Sequence, residues 1–229
     1  MLENNVYRKI LKAASYTPVG TLRGAIGSSS MKVRIMKEKV LYWKSIHERQ
    51  NELLKEIVGR NECKLTKEVK EYLNIMNITV DEIRNNNKEW ITEKIRLWDE
   101  ELWRKENLKR KTLEIYNKFK IHIQEEEYYN EESSLIMFKM RSNTLRLNDR
   151  NRHVGGNISC VCGHEIEDLE HFLLDCPKLE EVRIKILKLQ RPQEENRKEL
   201  VGSLLFKESR DNEGQIYDMW KLRNKLAPE

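Results

Sequence analysis

Turn-forming residues are scarce in this chain, with nine glycines and four prolines among 229 residues. A sandwich or barrel of short strands needs turn chemistry at every corner, so an all-β fold is excluded. What remains is rich in Glu, Lys, Leu, Ile and Arg, the composition of a mainly α chain. Long apolar runs are also missing, none approaching the eighteen or so residues of a membrane span, so no membrane partner is expected. The start, Met1-Leu-Glu-Asn-Asn5, lacks the basic-then-apolar pattern of a secretory signal. An intracellular setting, nucleus and cytoplasm, is therefore expected, where thiols stay reduced.

Cysteine is sparse as well, but three of the four fall inside seventeen residues: Cys160, Cys162 and Cys176, with His171 between them. Three thiols and one imidazole are the ligand types of a closed tetrahedral zinc site, which predicts one structural Zn2+ held by Cys160, Cys162, His171 and Cys176. Gly163 lets the chain fold back so that the first two thiols face one ion. A short helix is read over Glu167 to Leu174, and Pro177 favours its ending between His171 and Cys176. In a continuous α-helix those two residues would point about 140° apart. The one-residue gap between Cys160 and Cys162 is tighter than usual for such pairs. Two alternatives stay open: reduced buried thiols beside a surface histidine, and His164 as the fourth ligand. Cys63 stands alone and reads as a plain thiol.

Charge is unevenly spread. Net charge is +7 over residues 1 to 50, 0 over 51 to 150 and −2 over 151 to 229. A helix is predicted from Met31 to Ile57, with Val33, Met36, Val40 and Trp43 as its apolar stripe. Arg34, Lys37 and Lys44 flank that stripe on one side and could track a phosphate backbone, or could form a solvated face. Thr79 and Glu82 form a capping box that starts another helix. A long helix is read from Lys88 to His122, with Ile91, Ile95, Trp98 and Leu102 inward and Arg104, Lys111 and Lys118 recurring every seven positions as a second basic ridge. After a polar stretch, Leu135 to Leu147 resumes a helix carrying Arg141 and Arg146. Leu179, Val182, Ile186 and Leu189 mark a further amphipathic helix, broken at Pro192. The tryptophans sit at core spacing, and no stacking platform for bases is read.

Three stretches together resemble a known family, the C-terminal part of the reverse transcriptase of non-LTR (LINE-type) retrotransposons. Tyr7-Arg-Lys-Ile-Leu11, Leu22-Arg-Gly-Ala-Ile-Gly27 and Lys32 to Trp43 look like the segment entering the thumb. Leu73 to Ile83 with Trp90 to Ile95 is similar to the helical linker. Met137-Phe-Lys-Met-Arg-Ser142 followed by Cys160-x-Cys162, His171 and Cys176-Pro177 resembles the terminal Cys-Cys-His-Cys finger. The likeness spans most of residues 5 to 190. It implies a division into a thumb-like basic segment (1–60), a linker domain with the long helix (61–132), a zinc-finger-like module (133–190) and a helical tail (191–229). It also implies a region that holds RNA and DNA beside a polymerase core.

The family's polymerase chemistry needs adjacent aspartates to hold two divalent ions, and no two aspartates are adjacent here. The chain is therefore expected to be a non-catalytic, nucleic-acid-binding fragment or a truncated, host-retained copy, with Arg34, Lys37, Lys44, Arg104, Lys111, Lys118, Arg141 and Arg146 contacting phosphates. The alternative is a protein-interaction scaffold that docks through its long helix and the helix at Leu179 to Leu189.

Overall fold

The computed structural model describes residues 2–49, 51–59, 63–126, 131–187, 196–207 and 209–226. The chain is mainly α, and among the described residues extended pairing is confined to one antiparallel bridge between Ile26 and Glu125. In chain order the α-helices are α1 (Leu2–Ile10), α2 (Val19–Ile26), α3 (Met31–Glu48), α4 (Glu52–Gly59), α5 (Lys64–Met76), α6 (Val80–Asn85), α7 (Lys88–Leu108), α8 (Glu114–Phe119), α9 (Glu132–Arg141), α10 (Glu180–Leu187), α11 (Arg197–Gly202) and α12 (Ser209–Leu226). They divide into two compact units, Ser28–Lys105 on one hand and Met1–Gly27 with Glu106–Glu229 on the other. These boundaries fall elsewhere than those of the four segments read from the sequence.

In the unit Ser28–Lys105, the Ser30 hydroxyl accepts a hydrogen bond from the Val33 N–H and starts α3. Val33, Met36, Val40 and Trp43 are all buried, as their spacing predicts. The helix does not reach Ile57. It stops at Glu48, because the Asn51 side chain accepts from the Leu54 N–H (3.1 Å) and so begins α4 as a new helix. α5 packs on α3, and Asn77 closes it in the left-handed region (φ 54°). The capping box forms as expected: the Thr79 N–H donates to Glu82 Oε2 (2.7 Å) and the Glu82 N–H donates to Thr79 Oγ1 (3.1 Å). The apolar core gathers Val69, Leu73, Ile83, Ile91 and Ile95 around the α3 stripe. Further along α7 the phase slips, so that Trp103 is buried while Leu102 faces outward.

The long helix also ends earlier than its pattern suggests, at Leu108 rather than His122, and a 3₁₀ turn at Lys111–Leu113 leads into α8. The Asn107 carbonyl accepts from both the Arg110 N–H and the Asn117 side chain, each at 3.0 Å, which turns the chain at that point.

The second unit buries Met137, Met140, Leu145, Phe172, Leu173, Leu174, Val201, Leu205, Ile216 and Met219 in one core, with Cys160 and Cys176 among them. α9 and α10 both pack on α12, and α8 packs on α11. The contact between α8 and α11 is close: a Cβ on Gly202 would lie 1.9 Å from Phe119 Cε2, so only glycine fits there. The helix read over Leu135 to Leu147 ends at Arg141, where Asn143 turns left-handed (φ 51°) and the Thr144 and Leu145 N–H groups both return to the Lys139 carbonyl. Within α10, the expected stripe is used internally, since Leu179 just before it is buried and Val182 packs against the same core. Leu189 and Pro192 lie outside the described residues, as does the Ile186 side chain.

Candidate metal centre and cationic side chains

Cys160 and Cys162 stand on a tight turn. The Gly163 N–H donates to the Cys160 carbonyl (2.9 Å), the Cys160 N–H donates to the His164 carbonyl (2.9 Å), and Gly163 has a φ of +93° that other residues adopt poorly. The other two groups come from a helical turn starting at Leu169. Asp168 caps it, its Oδ1 accepting from the His171 N–H at 2.8 Å. Over His171–Asp175 the helix widens to a π turn, closed by the Cys176 N–H donating to the His171 carbonyl (2.8 Å). A hydrogen bond spanning five residues sets Cys176 one turn from His171. That widening, followed by the extended geometry of Cys176 before Pro177, brings together two side chains that an unbroken α-helix would hold apart.

The four ligand atoms of Cys160, Cys162, His171 and Cys176 all lie within 4.8 Å of one another. Cys160 Sγ is 3.6 Å from Cys176 Sγ, and Cys162 Sγ is 3.3 Å from His171 Nε2. A metal bound at about 2.3 Å to sulfur sets tetrahedral sulfurs about 3.8 Å apart, so the cluster could hold one such ion. His164 is outside it and stacks on His171, ring centroids 4.2 Å apart and nearly parallel at 4°. Cys63 is remote in sequence and remains a plain thiol.

Burial pushes the Cys160 thiol up to about 12 and moves the Cys176 thiol in the same direction. Burial, with His164 as a neighbour, holds the His171 imidazole below its usual range. The Cys160 and Cys176 thiols of the free cluster therefore hold their protons, and a cation must displace those protons to bind.

Two arginines and one glutamate that sequence reasoning did not single out support the cluster. Glu167 is almost fully buried, 3.9 Å from Cys160 Sγ, and accepts from Arg223 Nε (2.9 Å), Arg223 Nη2 (2.7 Å) and the Asn148 N–H (2.9 Å). Arg183, also buried, donates to the Leu174 and Cys176 carbonyls that end the π turn. Glu167 and Arg223 are 56 residues apart in the chain, and nothing in either neighbourhood announces the pairing.

The eight cations read as phosphate contacts are distributed differently. Lys44 is buried, and its ammonium donates to the Ile83 and Arg84 carbonyls (2.9 and 3.1 Å) and pairs with Glu48. It closes the C-terminal end of α6 rather than facing solvent. Arg141 is likewise used inside the fold, donating to the Leu205 carbonyl (2.7 Å) and to Glu126 (2.6 Å) with its guanidinium over the Phe206 ring. Lys37 pairs with Glu38 and Lys118 with Glu199. Arg34, Arg104, Lys111 and Arg146 are exposed. Tyr42 is exposed as well. Arg34, Lys37, Lys44 and Arg104 belong to the unit Ser28–Lys105, and Lys111, Lys118, Arg141 and Arg146 to the other.

Compared with protein-family models, with curated proteins and with solved structures, the chain matches none.

Proposed function

We propose that this chain is a nucleic-acid-binding, non-catalytic C-terminal part of a non-LTR retrotransposon reverse transcriptase, folded around one structural zinc ion. The observation that supports the reading is the gathering of Cys160, Cys162, His171 and Cys176, the residues of the finger motif it resembles, into one cluster with all four ligand atoms within 4.8 Å of one another. All four positions would be protein ligands, so the ion would be a staple with no open site for substrate. Three thiolates and Zn2+ would sum to one negative charge, which the nearby buried Arg183 offsets, while Arg223 neutralises Glu167.

Exposed Arg34, Arg104, Lys111 and Arg146 supply the phosphate contacts in this reading, with Lys37 and Lys118 able to exchange a carboxylate for a phosphate. The test joins metal analysis to titration. Purified protein is expected to carry one equivalent of zinc and to bind RNA or DNA with an affinity that falls as salt rises, by about 0.7 to 0.9 log unit per log unit of salt for each contact. Metal-free protein that binds no nucleic acid at low salt would overturn it.

The scaffold reading has one observation in its favour. Met31, Ile35 and Tyr42 are exposed along α3, beside Arg34 and Lys37. Copurification of a partner that is lost on Ile35→Glu and retained on Lys37→Glu would favour it.

A further inference from the structure

Away from the cysteine cluster, a cavity of about 330 Å³ opens between the start of the chain, α9 and α12. Lys12, Glu132, Lys139, Tyr217, Trp220 and Lys221 are among its lining residues. Its volume sits at the lower end of the range of about 300 to 1,000 Å³ typical of small-ligand sites. The single carboxylate in the wall, Glu132, accepts from the Tyr217 hydroxyl, and Lys221 pairs with Asp218 at 2.7 Å. Lys139 is different. It is half-buried and, among the described residues, has neither a hydrogen bond nor an ion pair for its ammonium. Its charge is opposed by burial first, then by Arg146 and Lys12, which together hold its pKa below the ordinary lysine value. Lys12 and Arg146 are exposed and also without an ion-pair partner among the described residues. Glu132 in the wall offsets only part of the repulsion that Arg146 and Lys12 exert on Lys139, and an anion placed among the three cations removes the rest of that cost. The aromatic wall beside them consists of Tyr217 and Trp220, both only partly buried.

We infer that Lys12, Lys139 and Arg146 form a phosphate subsite for a single-stranded nucleic acid, with an unpaired base reaching the Tyr217 and Trp220 wall of the adjoining cavity. A cationic cradle beside aromatic faces is the general construction of single-strand sites, and a duplex, whose bases are stacked inside, cannot offer a base to that wall. An acidic peptide would satisfy the cations but leave the aromatic wall without a planar partner. The inference rests on the nucleic-acid reading above and names the strand state and the contact residues, two of which the sequence did not mark.

The experiment titrates the 229-residue chain with a labelled single strand of about 12 nucleotides, within the span of one such module, and with the corresponding duplex, at two salt concentrations. The wild type is expected to prefer the single strand. The triple variant Lys12→Gln, Lys139→Gln, Arg146→Gln is expected to bind it about tenfold more weakly at low salt, with the salt slope reduced by about 2 for three lost contacts. None of the three side chains holds the fold together, so the melting temperature is expected to hold or rise. Should the triple variant melt early, K12Q/R146Q, confined to exposed side chains, carries the same test with a slope change of about 1.4. Unchanged affinity and slope in these variants, with binding lost instead in R34Q/R104Q/K111Q, overturns the subsite and leaves the wider reading standing. Wild-type protein that binds neither strand overturns both. Equal affinity for the duplex, or displacement of the strand by polyglutamate at matched charge, overturns the single-strand assignment.

Discussion

Arg223, near the end of α12, grips the buried carboxylate of Glu167 with two hydrogen bonds of 2.9 and 2.7 Å, and the same carboxylate lies 3.9 Å from the sulfur of Cys160. One ion pair thus fastens the last helix of the chain to the cysteine cluster. Breaking a buried pair by removing one partner strands the other charge, so Arg223→Met is expected to cost about 3 to 5 kcal/mol. Arg223→Met with Glu167→Leu is expected to recover much of that loss. Urea unfolding of the two single variants and the double variant measures it, and strictly additive effects would contradict the coupling.

Cys162→Ser and Cys176→Ser are each expected to lower metal content well below one equivalent. His164→Ala is expected to leave it unchanged, because His164 stacks on His171 outside the ligand set. Elemental analysis of the three variants decides, and full loss of metal in His164→Ala would reassign the fourth ligand.

Lys44 separates structure from binding. Lys44→Met leaves the Ile83 and Arg84 carbonyls without their donor, and a buried unsatisfied acceptor costs about 1 to 3 kcal/mol. Thermal unfolding is expected to report that loss, while the salt slope of nucleic-acid binding stays as in the wild type. A reduced slope would return Lys44 to the phosphate contacts.

The capping box has a pH signature. The Thr79 N–H and hydroxyl hold the Glu82 carboxyl below its ordinary value of 4.5. A depressed acid stabilises the fold above its unfolded pKa, and the contribution disappears as pH falls through the lower, folded value. Acid titration of wild type and Glu82→Gln is expected to show the two curves converging below pH 4.5. Thr79→Ala removes the side-chain half of the cap and is expected to cost about 1 kcal/mol at neutral pH.

Gly202→Ala is expected to be severely destabilising, because its methyl group would overlap the Phe119 ring. Overpacking of this kind costs about 1 to 3 kcal/mol. Phe119→Leu in the same chain is expected to relieve part of it, as thermal unfolding of both would show.

Local signals in the sequence were reliable where chemistry acts over one turn of chain. The α3 stripe, the Thr79 and Glu82 box, and the grouping of Cys160, Cys162, His171 and Cys176 could all be read from residue types and spacing, and the structure has each of them. The breaks were harder. Asn51 begins a new helix through its side chain, and the turn after Asn107 is held through a backbone carbonyl that any residue could supply, so apolar patterns that run on past both positions give no sign of the breaks. The widening at His171–Asp175 had no signal at all, since it depends on the packing of Phe172, Leu173 and Leu174 in a core contributed by distant helices. Charge was the least legible property. A basic residue near an apolar stripe can equally face solvent or, like Lys44 and Arg141, satisfy carbonyls inside the fold.

Cys160 and Cys176 belong to the same apolar core as α9, α11 and α12, which gives their sulfur atoms a second use as reporters. In the metal-free molecule a thiol-directed alkylating reagent can reach the half-buried Cys63 and Cys162, whereas Cys176, 1 % exposed, is shielded until that packing opens. The pace at which Cys176 becomes labelled is then a clock for the opening of this part of the molecule, readable without any knowledge of its partner.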